Sequence, residues 1–470
     1  MLSTNASASR AVPPSTSQTD RDRQRVLALL REHGWNATSF QILEPAFQYW
    51  FEADGCVAFV DTGHAWVAAG APIAAEADVA RLAAGFSAGA RAARRSAVFF
   101  ATEDRFQAHG KGFAHLLIGE QPVWDPRYWP ERLKQSTSLR EQLRRARAKG
   151  VQIELVPAHA VSDAEAPLRR DLEGLIAQWL RSKPMPPMGF LVRVDPFHCA
   201  EERRLFVARA RGGEVVGLAA VAPVYARGGW FVENLIRSPR APNGTMELLV
   251  DAAFRDAFAR GSGYLTLGLS PLMGSVAFSL HWARRYGSVL YDFQGLRAFK
   301  AKFHPDSWAS IYLSFPKDQS AFLAVYHSLS AFARRGLLQY GIETLLWGPD
   351  IVLRALALLL VPWTLLLASL DADRWFPAPW VKWAWVVFDL VLCGALLSLS
   401  LRFRRWLSAL LVGLVASDAL LTSLEAVFFN LPKIRRASDL IGVAVGVLAP
   451  LVATVILFNA HRRATLNDPG

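Results

Sequence analysis

Cysteine is almost absent from this sequence: Cys56, Cys199 and Cys393 stand too far apart for a zinc motif and are too few for a disulfide framework. That excludes a small disulfide-stapled fold and gives no sign of an oxidising compartment. No apolar leader is expected from the first residues either. The first 20 residues are rich in Ser, Thr, Ala and Pro with no apolar core between charged flanks, so they read as neither signal peptide nor anchor, and residues 1–19 are expected to form a disordered tail. Long apolar runs are missing until Ile351. Acidic residues are in deficit, 40 against 52 Lys and Arg. Of these, 32 acidic and 41 basic residues precede Asp350, a surplus of nine positive charges. A surface of that sign favours anionic partners, whether nucleic acid, anionic lipid headgroups or both.

What is present is concentrated. Hydrophobic residues make up 52% of the chain, and the excess falls in four late runs: about Ile351 to Leu370, Pro379 to Leu401, Trp406 to Phe429 and Leu440 to Ala460. Each reaches the roughly 20 residues that a helix needs to cross the hydrocarbon layer. Four spans over 351–460 are therefore expected, with a tail over 461–470. Trp375, Trp380, Trp383 and Trp406 stand near helix ends, where indole favours the interface. An even number of spans puts both ends on one side, shared by Arg402, Arg404, Arg405, Arg462 and Arg463. Positive-inside bias makes that side the cytoplasm of a bacterial-type inner membrane, although Lys433, Arg435 and Arg436 argue the other way. Asp389 and Asp418 fall near the middle of consecutive spans. Intramembrane carboxylates point to transport or lipid handling, or to a shared proton or a bond to a neighbouring Ser or Thr.

Ahead of the spans the pattern is α/β. Arg23 to His33 is helical in period, Gly55 to Val60 and His64 to Ala69 alternate around Asp61-Thr62-Gly63, Glu76 to Arg94 is an Ala-rich helix, and Ala97 to Ala101 is a strand. Asp125 to Trp129 leads into a strongly basic helix, Ser138 to Lys149, which Gly150 ends and the strand Val151 to Val156 follows. The scheme then repeats: helix Glu165 to Arg181, strands Arg203 to Arg211, Glu214 to Tyr225 and Gly229 to Ile236, helix Thr245 to Arg260, and strands Tyr264 to Gly268 and Trp308 to Ser314. Antiparallel strands followed by a strand, a helix and another strand suit an N-acetyltransferase-like lobe. Two such lobes in tandem are expected, over 20–130 and 131–317, with 318–346 as a linker forming one interfacial helix ahead of the spans.

The most informative stretch runs from Glu233 to Glu247. A strand ends at Arg237, a short loop follows, and Asn243 or Thr245 can cap a helix whose first turn carries Glu247. Gly244 lets an anion approach the free N–H groups of such a helix start; an ordinary capped helix behind a turn has the same spacing.

Three blocks carry a resemblance: Arg-Ala-Pro-Asn-Gly-Thr-Met-Glu-Leu-Leu at 240–249, Leu-Gly-Leu-Ser-Pro-Leu at 267–272, and Phe-Gln-Gly-Leu-Arg-Ala-Phe-Lys-Ala-Lys-Phe-His-Pro at 293–305. Weaker matches are the basic helix through Leu143 to Gly150, the Gly119-Glu120 step and Ala69-Gly70-Ala71-Pro72. Together they resemble the catalytic domain of the lysylphosphatidylglycerol synthase (aminoacyl-phosphatidylglycerol synthase) family, over about Asp20 to Pro316. The resemblance implies a tandem acetyltransferase-like fold that takes an amino acid from aminoacyl-tRNA and esterifies a phosphatidylglycerol hydroxyl. Such a reaction alters membrane surface charge and resistance to cationic peptides. Exchanging one ester for another needs no metal or redox cofactor; aminoacyl-tRNA is the co-substrate and an anionic phospholipid of the membrane the acceptor.

Carried over residue by residue, Arg237, Asn243, Gly244 and Thr245 would line the anion-binding helix start. Glu233 and Glu247 would bind the substrate amino group or accept a proton, and Ser270 would donate to the carbonyl. Arg297, Lys300 and Lys302 form a basic face for a lipid or tRNA phosphate, and Arg144, Arg145 and Lys149 would contact tRNA or headgroups. In the family's familiar arrangement many membrane helices precede the catalytic domain; here a smaller set follows it, so anchoring is the simpler role. Two other readings stay open: an acyl-CoA-dependent N-acyltransferase, disfavoured because the loop from Arg237 to Thr245 holds only Gly244, and a non-catalytic binding module that regulates the membrane bundle.

Overall fold

A computed structural model describes residues 20–183, 185–271, 293–333, 336–347, 349–401 and 404–467. The expected tail over 1–19, Leu272 of the second matched block and Arg402 lie outside them. The chain divides into two compact units, one of residues 20–179 and 187–337, the other of 180–186 and the residues from 338 onward.

The first unit opens with helix α1 (Asp20–His33), strands β1 (Gln48–Glu52), β2 (Gly55–Asp61) and β3 (Ala65–Ala69), helix α2 (Val79–Ala92) and strand β4 (Ser96–Thr102). Helix α3 (Asp104–His109), the long strand β5 (Phe113–Trp124), and helices α4 (Trp129–Gln135) and α5 (Thr137–Ala148) come next. The second half repeats the order with β6 (Gln152–Val156), α6 (Pro167–Arg181), β7 (Arg204–Arg209), β8 (Val215–Val224), β9 (Gly229–Arg237), α7 (Thr245–Ala259) and β10 (Tyr264–Thr266). The unit closes with β11 (Ser270–Pro271), α8 (Phe293–Ala301), β12 (Ser307–Pro316) and α9 (Ala321–Phe332).

All the strands join one sheet in the order β1-β2-β3-β4-β12-β5-β10-β9-β8-β7-β6, with β11 beside β5. Each half consists of antiparallel strands followed by one parallel pair, β3 with β4 and β9 with β10. A helix, α2 or α7, makes each crossover, as a parallel connection requires. This is the mixed α/β tandem that the sequence predicts, with one difference. The halves interlock: β5, which ends the first half, pairs with β10, while β12, which ends the second, pairs with β4. β5 and β12 pair with each other from Ser307↔Val123 to Pro316↔Phe113. A cut near residue 130 therefore divides the sequence but not the sheet.

Three strands escape the sequence reading, β1, β5 and the two-residue β11. β5 carries Gly119, Glu120, Gln121 and Pro122 in its middle, which breaks the apolar alternation that marks a strand. The segment 318–346 also differs from expectation. It is two helices, α9 and α10 (Leu337–Trp347), and α9 packs on β3, β4 and β12 as part of the first unit.

Packing around the second half is aromatic. Trp129 stacks on Phe254 with ring centroids 4.0 Å apart, and its indole N–H donates to Asp251 Oδ1 at 3.0 Å. Trp124 donates to Phe303 O at 2.9 Å. Both fully buried indoles thus keep a polar partner.

β9 is bulged. Ala220 faces Asn234 while Val221 faces Val232, so Glu233 is the extra residue. The bulge turns Glu233 into a buried ion pair with Arg203, both side chains being about 1% exposed. Gln41 Nε2 donates to Glu233 Oε1 at 3.0 Å and to Leu191 O at 2.9 Å. Burial lowers the Arg203 guanidinium to about 10, still protonated at neutral pH.

The second unit holds α10 and four longer helices, α11 (Pro349–Ser369), α12 (Pro379–Leu401), α13 (Arg405–Glu425) and α14 (Ala437–Asn467). All four are long and apolar enough to cross a membrane, through Val352–Ser369, Pro379–Leu401, Arg405–Lys433 and Asp439–Arg462. Their connections alternate ends as antiparallel spans require. Arg374, after α11, pairs with Asp439 at the start of α14 at 2.7 Å, and His461 near the end of α14 meets Ser408 at the start of α13 at 3.1 Å.

Replacing Arg203 with Ala leaves the Glu233 carboxylate buried without its cation. The expected cost is about 3–5 kcal/mol, seen as a lower thermal unfolding midpoint of the detergent-solubilised chain and partly recovered by adding Glu233→Leu. An unchanged midpoint for Arg203→Ala contradicts the structural role.

Candidate functional site

Of the residues singled out in the sequence, Glu247, Ser270, Arg297, Lys300 and Lys302 meet around α8. The basic face expected of Arg297, Lys300 and Lys302 does not form, because Lys300 turns inward while Arg297 and Lys302 pair with carboxylates. Lys300, near the end of α8, is 5% exposed and donates to Gly268 O at 2.8 Å and Leu269 O at 2.9 Å. Burial pushes the Lys300 ammonium down to about 7, so the amine changes protonation near neutral pH. In the neutral amine both N–H bonds remain on the two carbonyls and the lone pair is left to accept a proton.

Leu269 O belongs to the peptide bond into Ser270, so the lysine holds the backbone on which that hydroxyl sits. Ser270 is fully buried, and its Oγ has no hydrogen-bond partner among the described residues. An unpartnered buried hydroxyl is costly in a resting protein and useful as a donor to a substrate oxygen. Two glycines make the geometry possible. A Cβ on Gly119 would stand 2.4 Å from Ser270 O, so only glycine lets β11 lie against β5 there, and Gly268 has φ +72° with the Phe231 ring 2.6 Å from where a Cβ would be.

Glu120, opposite Ser270 in register, adds a carboxylate that the sequence reading passed over except as part of a weak match. Arg297 reaches Glu120 Oε2 at 3.4 Å and lies over the Trp308 ring at 4.5 Å. Lys302, just past the helix, meets Glu247 Oε1 at 3.4 Å. Glu247 is buried in the first turn of α7, so α8 links the α7 start to the β5–β11 seam.

The α7 start differs from the open anion cradle that its sequence suggests. Neither Asn243 nor Thr245 caps it: Gly244 is the N-cap residue, with φ +96° and no side-chain cap. A Cβ on Gly244 would stand 2.8 Å from Gln142 O and 2.9 Å from Ala146 Cβ, so the glycine lets α5 approach. The Thr245 hydroxyl donates to Pro242 O at 2.7 Å and is buried, which takes it out of reach of a ligand. Asn243 is exposed, and Arg237, half-buried at the end of β9, makes no ion pair among the described residues.

Residues 27–315 match the family described as phosphatidylglycerol lysyltransferase, C-terminal. The chain belongs to this family. Among curated relatives, the phosphatidylglycerol lysyltransferase of Bacillus subtilis is 27% identical over 319 residues, 65% of this chain and 36% of that protein. The Staphylococcus xylosus phosphatidylglycerol lysyltransferase is 25% identical over 247 residues, 48% of this chain and 28% of that protein. The match thus spans about a third of the length of these relatives. Among solved structures, the C-terminal domain of a protein described as a lysylphosphatidylglycerol synthetase from Agrobacterium fabrum superposes with a TM-score of 0.58 at 23% identity, covering 67% of this chain and 99% of that one. L-PGS from Bacillus licheniformis gives 0.57 at 22% identity, covering 66% and 97%. At such identities these two show the fold.

In this member of the lysyltransferase C-terminal family, several expected site residues stand apart from the α8 cluster. Glu233 is enclosed with Arg203 and Gln41, which gives its carboxylate no free face for a substrate amine. On α5, Arg144 and Arg145 both bind Glu141 at 2.8 Å; the two guanidiniums hold that carboxyl at about 2. Arg147 is tied to the buried Asp251 at 2.9 Å, while Lys149 stays exposed at the helix end. In the second unit Asp389 is buried and meets Thr364 Oγ1 at 3.5 Å, and Asp418 accepts from Thr422 at 3.0 Å. Each carboxylate has a threonine partner, the bland alternative that the sequence left open. Among the described residues no group of three His, Cys, Asp or Glu is placed to hold a metal.

Gly119→Ala should displace Ser270 while leaving the rest of the sheet paired. The expected result is a loss of transfer activity larger than the loss of thermal stability, and a variant with full activity contradicts the close-approach requirement.

Proposed function

We propose that the first unit transfers an amino acid from aminoacyl-tRNA to a hydroxyl of phosphatidylglycerol, with the four-helix unit holding it at the cytoplasmic face of the inner membrane. The observation that carries the reading is the buried Lys300 amine on the Gly268 and Leu269 carbonyls beside the Ser270 hydroxyl, which has no partner among the described residues, inside the region matched by the lysyltransferase family.

The chemistry follows from those groups. The neutral Lys300 amine accepts the proton of the lipid hydroxyl as its oxygen bonds to the ester carbonyl carbon. Ser270 Oγ donates to the carbonyl oxygen as it gains negative charge. When the intermediate collapses, the bond to the tRNA ribose oxygen breaks and the Lys300 ammonium returns its proton to that oxygen. Protons balance and no oxidant or reductant enters. Glu120 and Glu247, each paired at 3.4 Å with a partly exposed cation, are the carboxylates available to the amino acid's ammonium. Arg237, Asn243, Lys302 and Lys149 supply donors and positive charge for phosphates of the headgroup or tRNA. Adding an amino acid to the anionic lipid raises the charge of the membrane surface, and resistance to cationic peptides is the expected consequence.

The acyl-CoA alternative loses support because Gly244 is backed by α5 and Thr245 is occupied, which leaves the α7 start poorly suited to a pyrophosphate.

Membranes containing the chain, given labelled aminoacyl-tRNA, should yield labelled lipid with at least one amino acid; none with any amino acid, while a known synthase works alongside, rejects the proposal. Because the Lys300 amine is an acceptor only when neutral, the transfer rate should rise with pH through about 7. Lys300→Met should lower the rate and flatten that rise. A variant that keeps the wild-type pH profile removes Lys300 from the proton path.

A further inference from the structure

Helix α9 closes the first unit and is divided along its length. Ala324, His327, Ser328 and Ala331 are buried on the sheet side, against β3, β4 and β12. Phe332 sets its end by packing on Phe100 and Phe190, with ring centroids 5.1 and 5.2 Å away. The outer face is also apolar: Phe322 is 77% exposed, Leu323 49%, Tyr326 43% and Leu329 52%. An ordinary surface helix carries charge there. Elsewhere in the first unit the exposed large apolar side chains that the structure describes are scattered, as Tyr128, Leu155, Val192 and Phe258. Single exposed apolar residues are normal on a protein surface, whereas four on one helical face mark a contact.

What lies within reach of that face is set by the chain itself. The first membrane span opens at Val352, twenty residues past Phe332, so α9 is tethered near a bilayer at high effective concentration. Phenylalanine, leucine and a tyrosine whose hydroxyl can stay wet suit the boundary between headgroups and acyl chains. Lys317 is exposed just ahead of the helix, and Arg91 beside Asp318 is 70% exposed, so cations stand at its start where anionic headgroups would lie.

We infer that the outer face of α9 docks the first unit onto the lipid surface, with Phe322, Leu323, Tyr326 and Leu329 entering the interface. The catalytic unit then has a membrane contact of its own in addition to the spans, and α9 is a fixed part of that unit rather than a free linker. This inference rests on the chain being a membrane protein and not on the transfer reaction, so it stands or falls separately from the proposed activity.

The test uses the full chain with Cys199→Ser and Cys393→Ser, which leaves only the buried Cys56, plus Phe322→Cys or Leu329→Cys labelled with an environment-sensitive fluorophore. Phe258→Cys is the exposed control. In vesicles of phosphatidylglycerol and phosphatidylethanolamine, labels at 322 and 329 should be quenched severalfold more by nitroxide-bearing lipid than the label at 258, and severalfold less by aqueous iodide. Equal quenching at all three positions overturns the inference. So does shielding at 322 and 329 that persists in detergent and vanishes on dilution, which identifies a second copy of the chain as the occupant.

Discussion

The antiparallel pairing of β5 with β12 is the contact on which the rest of the first unit depends. It joins the two halves of the sheet through strands that each half lends to the other. It also builds the site: β5 presents Glu120 with Ser270 on one side and Ser310 on the other, and β12 presents Trp308 beneath Arg297. A site at such a seam needs both halves in register, because a slip of one residue would turn Glu120 to the opposite face. The cost is topological. Strands far apart in sequence must find each other before the site exists, so folding is expected to be slow relative to a helical protein of the same size.

Two buried cations divide the tasks of structure and chemistry. Arg203 is matched by a carboxylate and has no surplus donor role to offer a substrate. Among the described residues Lys300 is matched only by carbonyl oxygens. A charge in the first setting is fixed, whereas an amine in the second can lose its proton at modest cost, and this difference separates the two better than exposure does. Sequence spacing cannot make that distinction, which is why Glu233 looked like a substrate carboxylate until the β9 bulge turned it toward Arg203.

Much of the architecture was legible. The four apolar runs and the two rounds of strands and helices follow from hydropathy and periodicity, and the matched blocks single out Ser270, Arg297, Lys300 and Lys302. A basic face of Arg297, Lys300 and Lys302 was expected, however, where Lys300 is buried on two carbonyls. What was not legible depends on contacts between distant segments. β5 hides because Gly119 and Pro122, which break its pattern, are there to admit β11 and to face Trp308. The α7 start looked open because nothing local reveals that α5 packs against Gly244. The division of 318–346 into α9 and α10 was equally hidden, since the buried stripe of α9 is small, built from alanine, serine and histidine.

The central claim is that the β5–β11 seam carries out transfer to lipid. Its most direct test is the amount of chloroform-extractable label formed from labelled aminoacyl-tRNA by the full chain carrying Ser270→Ala together with Glu120→Gln, in vesicles at pH 7. The account predicts that lipid label is nearly abolished while the thermal unfolding midpoint stays close to that of the unaltered chain. Lipid label at the unaltered level, in a protein of unchanged stability, would contradict it.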